Sequence, residues 1–201
     1  MGGAAHALAL AQIVMDAKLN VRLDVFIPAV ENAVAGNAFR PGDIIKSRKG
    51  LTVEIDNTDA EGRLILADAL ARACEDKPAL LLDFATLTGA ARTALGPDIP
   101  PFYANDEALA AEYAQASADT SDPVWRLPLW DAYESEMDSP IADLKNTGDG
   151  AFAGSIYGGL FLRRFVDAPA WAHFDIYAWA PKEKPARPAG GEAQALRASW
   201  P

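Results

Sequence analysis

Several things are scarce in this sequence, and each scarcity excludes something. There is one cysteine in 201 residues, Cys74, so no internal disulfide can form, and a reducing compartment fits. There are two histidines, His6 and His173, and they do not make HExxH, so neither is expected to ligate a metal. Basic residues are outnumbered 18 to 28, for a formal net charge of -10 and a pI near 4.6. An acidic surface repels a phosphate backbone, no basic stripe is visible, and nucleic acid is not an expected partner. The start, "MGGAAHALALAQIVMDAKLN", has no basic n-region, and His6 and Gln12 break its apolar stretch. It reads as neither a signal peptide nor a membrane span. His6 also stands where a myristoylation pattern wants Ser or Thr. "YGGLF" lacks the spacing and the following Lys of a phosphate loop. No repeat and no interdomain linker is seen.

What is present suits one α/β domain with a real core, since half the residues are hydrophobic. A helix is expected over 4 to 18 and a largely buried strand over "VRLDVFIPAV" (21 to 30). A loop follows, then a strand pair from "IIKS" and "LTVEI" around a Lys-Gly turn. Apolar residues at Leu64, Ala67, Leu70, Ala71 and Cys74 mark an amphipathic helix over 63 to 75. "ALLLDFA" (79 to 85) reads as a buried parallel strand, so strand, helix and strand form a βαβ unit. Beyond it come a short helix in "TLTGAARTALG", a surface helix in "NDEALAAEYAQASADTSD" and an irregular Trp- and Pro-containing stretch. "GSIYGGLFLRRFV" is a buried helix, "AWAHFDIYAWA" an alternating strand, and the Pro- and Gly-rich tail ends in a short helix. The expected architecture is a mixed, mostly parallel central sheet flanked by helices. Asp83, charged at the end of a buried strand, is either functional or a polar anchor for the neighbouring loop; His173 reads as a hydrogen-bonded core residue.

The stretch "EIDNTDAEGRLILADAL" crowds Asp56, Asp59 and Glu61 where an apolar helix should begin. Thr58 and Glu61 fit a capping box, and acids suit the first turn of a helix. Gly62 resists that reading, because glycine loosens a helix by about 1 kcal/mol relative to Ala. If 57 to 62 is extended instead, Asp59 and Glu61 project to one face and can reach one metal or bridge two. Their hard oxygens suit Mn, Mg or Zn. Arg63, always charged, cannot be a ligand but can hold an anion. Sites of α/β sheets cluster at the carboxyl ends of strands, and this loop follows one.

"NTDAEGRL" resembles the signature of the leucyl (cytosol) aminopeptidase family. "MGGAA", "VENAVAGNAFRPGD", "LADAL", "ATLTGA", "ADLKNTG" and "WAHFDI" recur in the family's order, so the resemblance covers nearly the whole chain. It implies a cytoplasmic dinuclear metallo-exopeptidase that removes N-terminal residues, leucine among them, using two Mn or Zn ions and a bicarbonate. Asp59 takes the place of a metal ligand, Glu61 that of the carboxylate bridging both ions, and Arg63 that of the bicarbonate-holding arginine. Thr86, Leu87 and Gly89 match the substrate-contacting loop, and Tyr177 lies near the pocket for the first side chain. The family forms hexamers; some relatives also bind DNA. Its large N-terminal domain and the opening of its catalytic domain, with two lysines and two aspartate ligands, have no counterpart in these 201 residues. The expectation is a catalytic-domain portion with an incomplete metal site, inactive alone; the alternative is a non-catalytic assembly module.

Overall fold

The computed structural model describes residues 1–31 and 34–200. In chain order it carries α1 (Gly2–Asp16), β1 (Ile44–Lys46), β2 (Thr52–Glu54), a 3₁₀ turn (Thr58–Ala60), α2 (Gly62–Glu75), β3 (Leu80–Ala85), α3 (Gly89–Leu95), β4 (Pro101–Ala104) and α4 (Glu107–Thr120). There follow β5 (Trp125–Arg126), a 3₁₀ helix (Asp131–Met137), β6 (Leu144–Lys145), α5 (Gly154–Arg163), β7 (Ala170–Asp175), β8 (Trp179–Ala180) and β9 (Gly190–Gly191).

The central sheet has the order β3-β7-β4-β5. β3 and β7 run parallel over six residues, β4 is antiparallel to β7, and β5 is parallel to β4, so the sheet is mixed and mostly parallel. β7 is buried along nearly its whole length, and its pleat sends alternate side chains into two cores. Ala172 and Phe174 join Phe84, Phe102, Leu109 and Tyr113 beneath α4. Trp171 joins Leu64, Leu70, Leu160, Phe161 and Phe165 beneath α2 and α5. Full burial of a side chain as large as Phe161 contributes about 2–3 kcal/mol. The polar residues of the two paired strands, Asp83, His173 and Asp175, share the α5 side.

The expected helices over 63 to 75 and 154 onward form, as do the β1–β2 hairpin and β3. Four expectations are corrected. Residues 21 to 30 are not a strand: Val21, Leu23, Val25, Phe26, Ile27 and Val30 are exposed. An isolated strand leaves its N–H and C=O groups without a ladder, and no neighbouring strand pairs with this segment among the described residues. Phe26 instead lays its ring against Arg72, 5.3 Å from the guanidinium carbon. Second, β2, α2 and β3 are not a βαβ unit within one sheet. β2 belongs to a separate sheet, antiparallel to β1 and parallel to β6, while β3 takes β7 as its parallel partner. Third, "AWAHFDIYAWA" is not one alternating strand: Ala170–Asp175 is β7, with His173 and Asp175 as buried as their apolar neighbours, and Trp179–Ala180 is the separate β8. Fourth, the tail makes only a turn, not a helix. Ala195 sits at φ 60, and the Asp122 carboxylate accepts the amides of Ala195 and Arg197 (3.1 and 2.7 Å). Among the described residues no helix is long and apolar enough to cross a membrane.

Candidate active site

The acidic loop between β2 and α2 is shaped by two asparagines. Asn57, in extended conformation, accepts the Asp59 amide on its side chain (2.9 Å) and so starts the 3₁₀ turn. Asn146, fully buried just past β6, works from the other side. Its Oδ1 accepts the amides of Asp56 and Asn57 (2.8 and 3.2 Å), and its Nδ2 donates to the carbonyls of Asn57 and Ala60 (2.7 and 3.4 Å). Thr147 Oγ1 donates to Asp56.

This geometry corrects both readings of the acidic stretch. Thr58 does not cap, because Asn57 does; the capping box is not used. Nor is the turn extended. Glu61 lies at φ -74, ψ -32, α2 begins at Gly62, and Gly62 has no positive φ. Helical dihedrals do not carry residues two apart onto one face, so the shared-face argument for Asp59 and Glu61 fails in that form. Nor is Gly62 crowded: a Cβ there would meet Leu87 Cδ1 at 3.6 Å, an ordinary contact, so close approach does not account for the glycine. Asp59 is exposed and Glu61 half-buried at the entrance to α2. Among the described residues no three His, Cys, Asp or Glu side chains converge to hold a metal ion.

Arg63 turns inward from the first turn of α2 and is 7% exposed. Its Nη1 donates to Asn146 O (2.8 Å), its guanidinium carbon is 6.0 Å from the Phe161 ring centre, and its buried Nε has no partner. Burial pushes its pKa down to about 10, against the pull of the Asp175 carboxylate.

Asp175 ends β7 and is 1% exposed. Its Oδ1 accepts the amides of Leu87 and Thr88 (3.1 and 3.0 Å); its Oδ2 accepts the hydroxyls of Thr88 and Ser155 (2.7 and 2.8 Å). Ser155 in turn accepts from Tyr103 (2.7 Å). Leu87 is thereby held beside both Gly62 and Gly158, where added Cβ atoms would lie 3.6 and 3.1 Å from its methyl groups. Of the sequence-expected residues, then, Arg63 and Leu87 come together around Asp175. Thr86 is exposed and lies against the start of α1 at Gly2.

Gly89 and Tyr177 meet through a residue the sequence reading passed over. The Arg92 guanidinium stacks 5.1 Å from the Tyr177 ring centre and lies 3.5 Å from where a Gly89 Cβ would stand. Thr88, Arg92, Asp175, Tyr177 and Gln194 line a cavity of about 10 Å³, room for one water. Gln194 Oε1 accepts the amides of Tyr177 and Ala178 (2.9 and 2.8 Å). The Gln194 backbone N–H donates to His6 Nε2 (2.9 Å), so His6 Nδ1 carries the hydrogen that is donated to the Gly2 carbonyl (2.7 Å). Behind the site, Asp83 accepts from His173 Nδ1 (2.5 Å) and Trp171 Nε1 (2.8 Å); it anchors strand partners rather than a loop. His173 is the hydrogen-bonded core residue expected, though its Nε2 is buried without a partner. Burial lowers the His173 pKa, but Asp83 and the more distant Asp175 outweigh it and leave it raised, against Arg63.

Asp175 and Asn146 were missed as site residues although "WAHFDI" and "ADLKNTG" contain them. The available signal for Asp175 was a carboxylate closing a largely apolar strand.

Known proteins resemble the chain in sequence and fold. Residues 1–198 match the cytosol aminopeptidase family, catalytic domain. A probable cytosol aminopeptidase of Stenotrophomonas maltophilia is 46% identical over 200 residues, covering all of this chain and 40% of that protein. One of Paraburkholderia phytofirmans is 48% identical, covering 39% of its length. Among solved structures, the cytosol aminopeptidase of Coxiella burnetii superposes with a TM-score of 0.96 at 54% identity, covering the whole chain and 44% of that one. A tomato leucine aminopeptidase mutant superposes at 0.87 with 37% identity, covering 40% of its chain. The chain thus spans about 40% of the length of the curated relatives it matches. With the family's catalytic domain matched from Met1 to Ala198 and its fold reproduced, the chain belongs to the cytosol aminopeptidase family.

Proposed function

We propose that this chain supplies part of the active site of a metal-dependent aminopeptidase that releases N-terminal, leucine-type residues from peptides. One observation carries the reading: a buried, under-bonded arginine, Arg63, lies within four residues of the exposed Asp59 and half-buried Glu61 and beside the loop anchored by Asp175. Asp59 and Glu61 have the chemistry to bind Mn or Zn, but two carboxylates do not complete a site for two ions. They would contribute to such a centre rather than form it, and no step is derived through it. Bound divalent ions would supply an acidified water and a polarised carbonyl. Arg63, charged and with an unpartnered Nε, has the chemistry to hold an anion such as bicarbonate. Thr86, Leu87 and Gly89 present backbone to the substrate, and Tyr177 borders the first side chain. A cytoplasmic homo-oligomer, a hexamer as the family resemblance implies, acting on peptides without nucleic-acid or membrane partners completes the reading.

A second reading, a non-catalytic assembly module, is favoured by the exposed apolar residues of 21 to 30 and by Trp125 and Trp130 (61% and 57% exposed). Hydrolysis of leucyl-p-nitroanilide with Mn or Zn separates the two. The chain alone should turn over very poorly. The chain fused behind the upstream region of the Coxiella burnetii enzyme should be active, and Glu61→Ala there should abolish turnover. Robust activity of the short chain that survives Glu61→Ala would overturn the site; a folded but inert fusion would favour the assembly module.

A further inference from the structure

We infer that Asp175 is a positioning residue for the reaction, fastening the 86–88 segment over the N-terminal end of α2; the inference rests on the aminopeptidase reading of that segment. The argument is one of completeness. A carboxylate offers about four acceptor positions, and Asp175 uses four, all on groups from two elements. Two amides and one hydroxyl come from the segment between β3 and α3, and one hydroxyl comes from α5. The connection from β3 to α3 is only three residues long, Thr86 to Thr88, so fixing two consecutive amides fixes its backbone.

The support is itself supported. Tyr103 donates to Ser155, which donates to Asp175, so a buried chain of hydroxyls aims the carboxylate. The parallel pairing of Ala85 with Asp175, and the Ile176 amide on Ala85 O (2.9 Å), set the height of the carboxylate relative to the segment it holds. Arg63 is near enough to feel its charge. Leu87 then has Gly62 on one side and Gly158 on the other, where a side chain at Gly158 would be tight at 3.1 Å. Shape thus holds the Leu87 side chain while Asp175 holds its backbone. A displaced segment would move the backbone groups of Thr86 and Leu87 away from Arg63 and the Asp59–Glu61 turn.

Residue-resolved amide exchange on the 201-residue chain tests this directly. In Asp175→Ala, the Leu87 and Thr88 amides should exchange at least about thirtyfold faster, relative to the amides of β3 and β7 in the same sample. Asp175→Asn keeps one carbonyl oxygen for the two amides and should return them to within about fivefold of the native rate. Ser155→Ala, which removes one brace and leaves the carboxylate, should give a smaller but selective acceleration, and it decides the matter if Asp175→Ala does not fold. Acceleration shared equally by the sheet amides, or none at Leu87 and Thr88, would overturn the inference. In the active fusion, Asp175→Ala should raise KM for leucyl-p-nitroanilide at least about tenfold, with Asp175→Asn between it and the native value. An unchanged KM would sink the catalytic relevance. If the unmutated fusion shows no turnover, the aminopeptidase reading fails, and the exchange rates alone still decide whether Asp175 holds the segment.

Discussion

Arg63 keeps a full positive charge inside the protein with a single hydrogen bond and a distant carboxylate for company. Replacing a poorly compensated buried charge by an apolar side chain of similar length is often stabilising. Arg63→Met should therefore raise the unfolding free energy by about 1–2 kcal/mol, seen as a higher urea midpoint at unchanged slope, while removing the group proposed to hold an anion. A lowered midpoint would mean that the guanidinium has partners beyond Asn146. His173 behaves differently, because Asp83 faces it at 2.5 Å. Its folded pKa is raised above the ordinary 6.5 by Asp83 and Asp175 in spite of burial. That stabilisation is fully present below about pH 6.5 and is lost as the pH rises through the raised folded value. Asp83→Asn leaves the buried imidazole without its anion, so burial then lowers its pKa and acid destabilises the variant. The stability gap between native protein and Asp83→Asn, read from urea unfolding, should be larger at pH 6 than at pH 9. A gap that widens towards alkaline pH would refute the charged pair.

At the level of elements, α1 meets the sheet through backbone contact. A Cβ on Gly3 would lie 2.0 Å from the carbonyl oxygen of Phe84 in β3, and main chain in a six-residue parallel pairing cannot step aside. Gly3→Ala should cost about 3 kcal/mol or more, or detach α1, seen as lost helical circular dichroism. An unaffected variant would contradict the packing of α1 on β3. Short-range patterns of this kind were largely legible. Leu64, Ala67, Leu70 and Ala71 are buried on one face of α2 as their spacing demands, and Cys74 is half-buried, accepting the Asp167 amide on its sulfur. Arg63, Leu87, Gly89 and Tyr177 also fall in two adjoining clusters, Arg63 with Leu87 and Gly89 with Tyr177. What could not be read is whatever depends on a distant partner. Nothing in "LTVEI" says that it pairs with Leu144 and Lys145, some ninety positions on, rather than with "LLLDFA". Nothing local distinguishes the fully buried Asn146 from the exposed Asn57, yet the first braces the loop that the second caps. The letters of 21 to 30 call for a strand, and only a neighbouring edge can make one.

For the whole molecule, six apolar side chains within the ten residues of that segment are exposed, as are Trp125 and Trp130. The chain should self-associate: light scattering at about 100 μM should report a mass above the 21.4 kDa of one copy. A clean monomer at that concentration would count against assembly through these residues. The strand order has a further consequence, for the timing of synthesis. β7 lies between β3 and β4 yet is made last of the three, 90 residues after the end of β3 (Ala85 to Asp175). At about 5–20 residues per second, β3 waits about 5–18 s for β7, its sheet partner among the described residues, to be translated. Throughout that interval "ALLLDFA" is an apolar strand without the edge it pairs with in the folded protein, the kind of exposed segment that favours aggregation until Asp175 has been made.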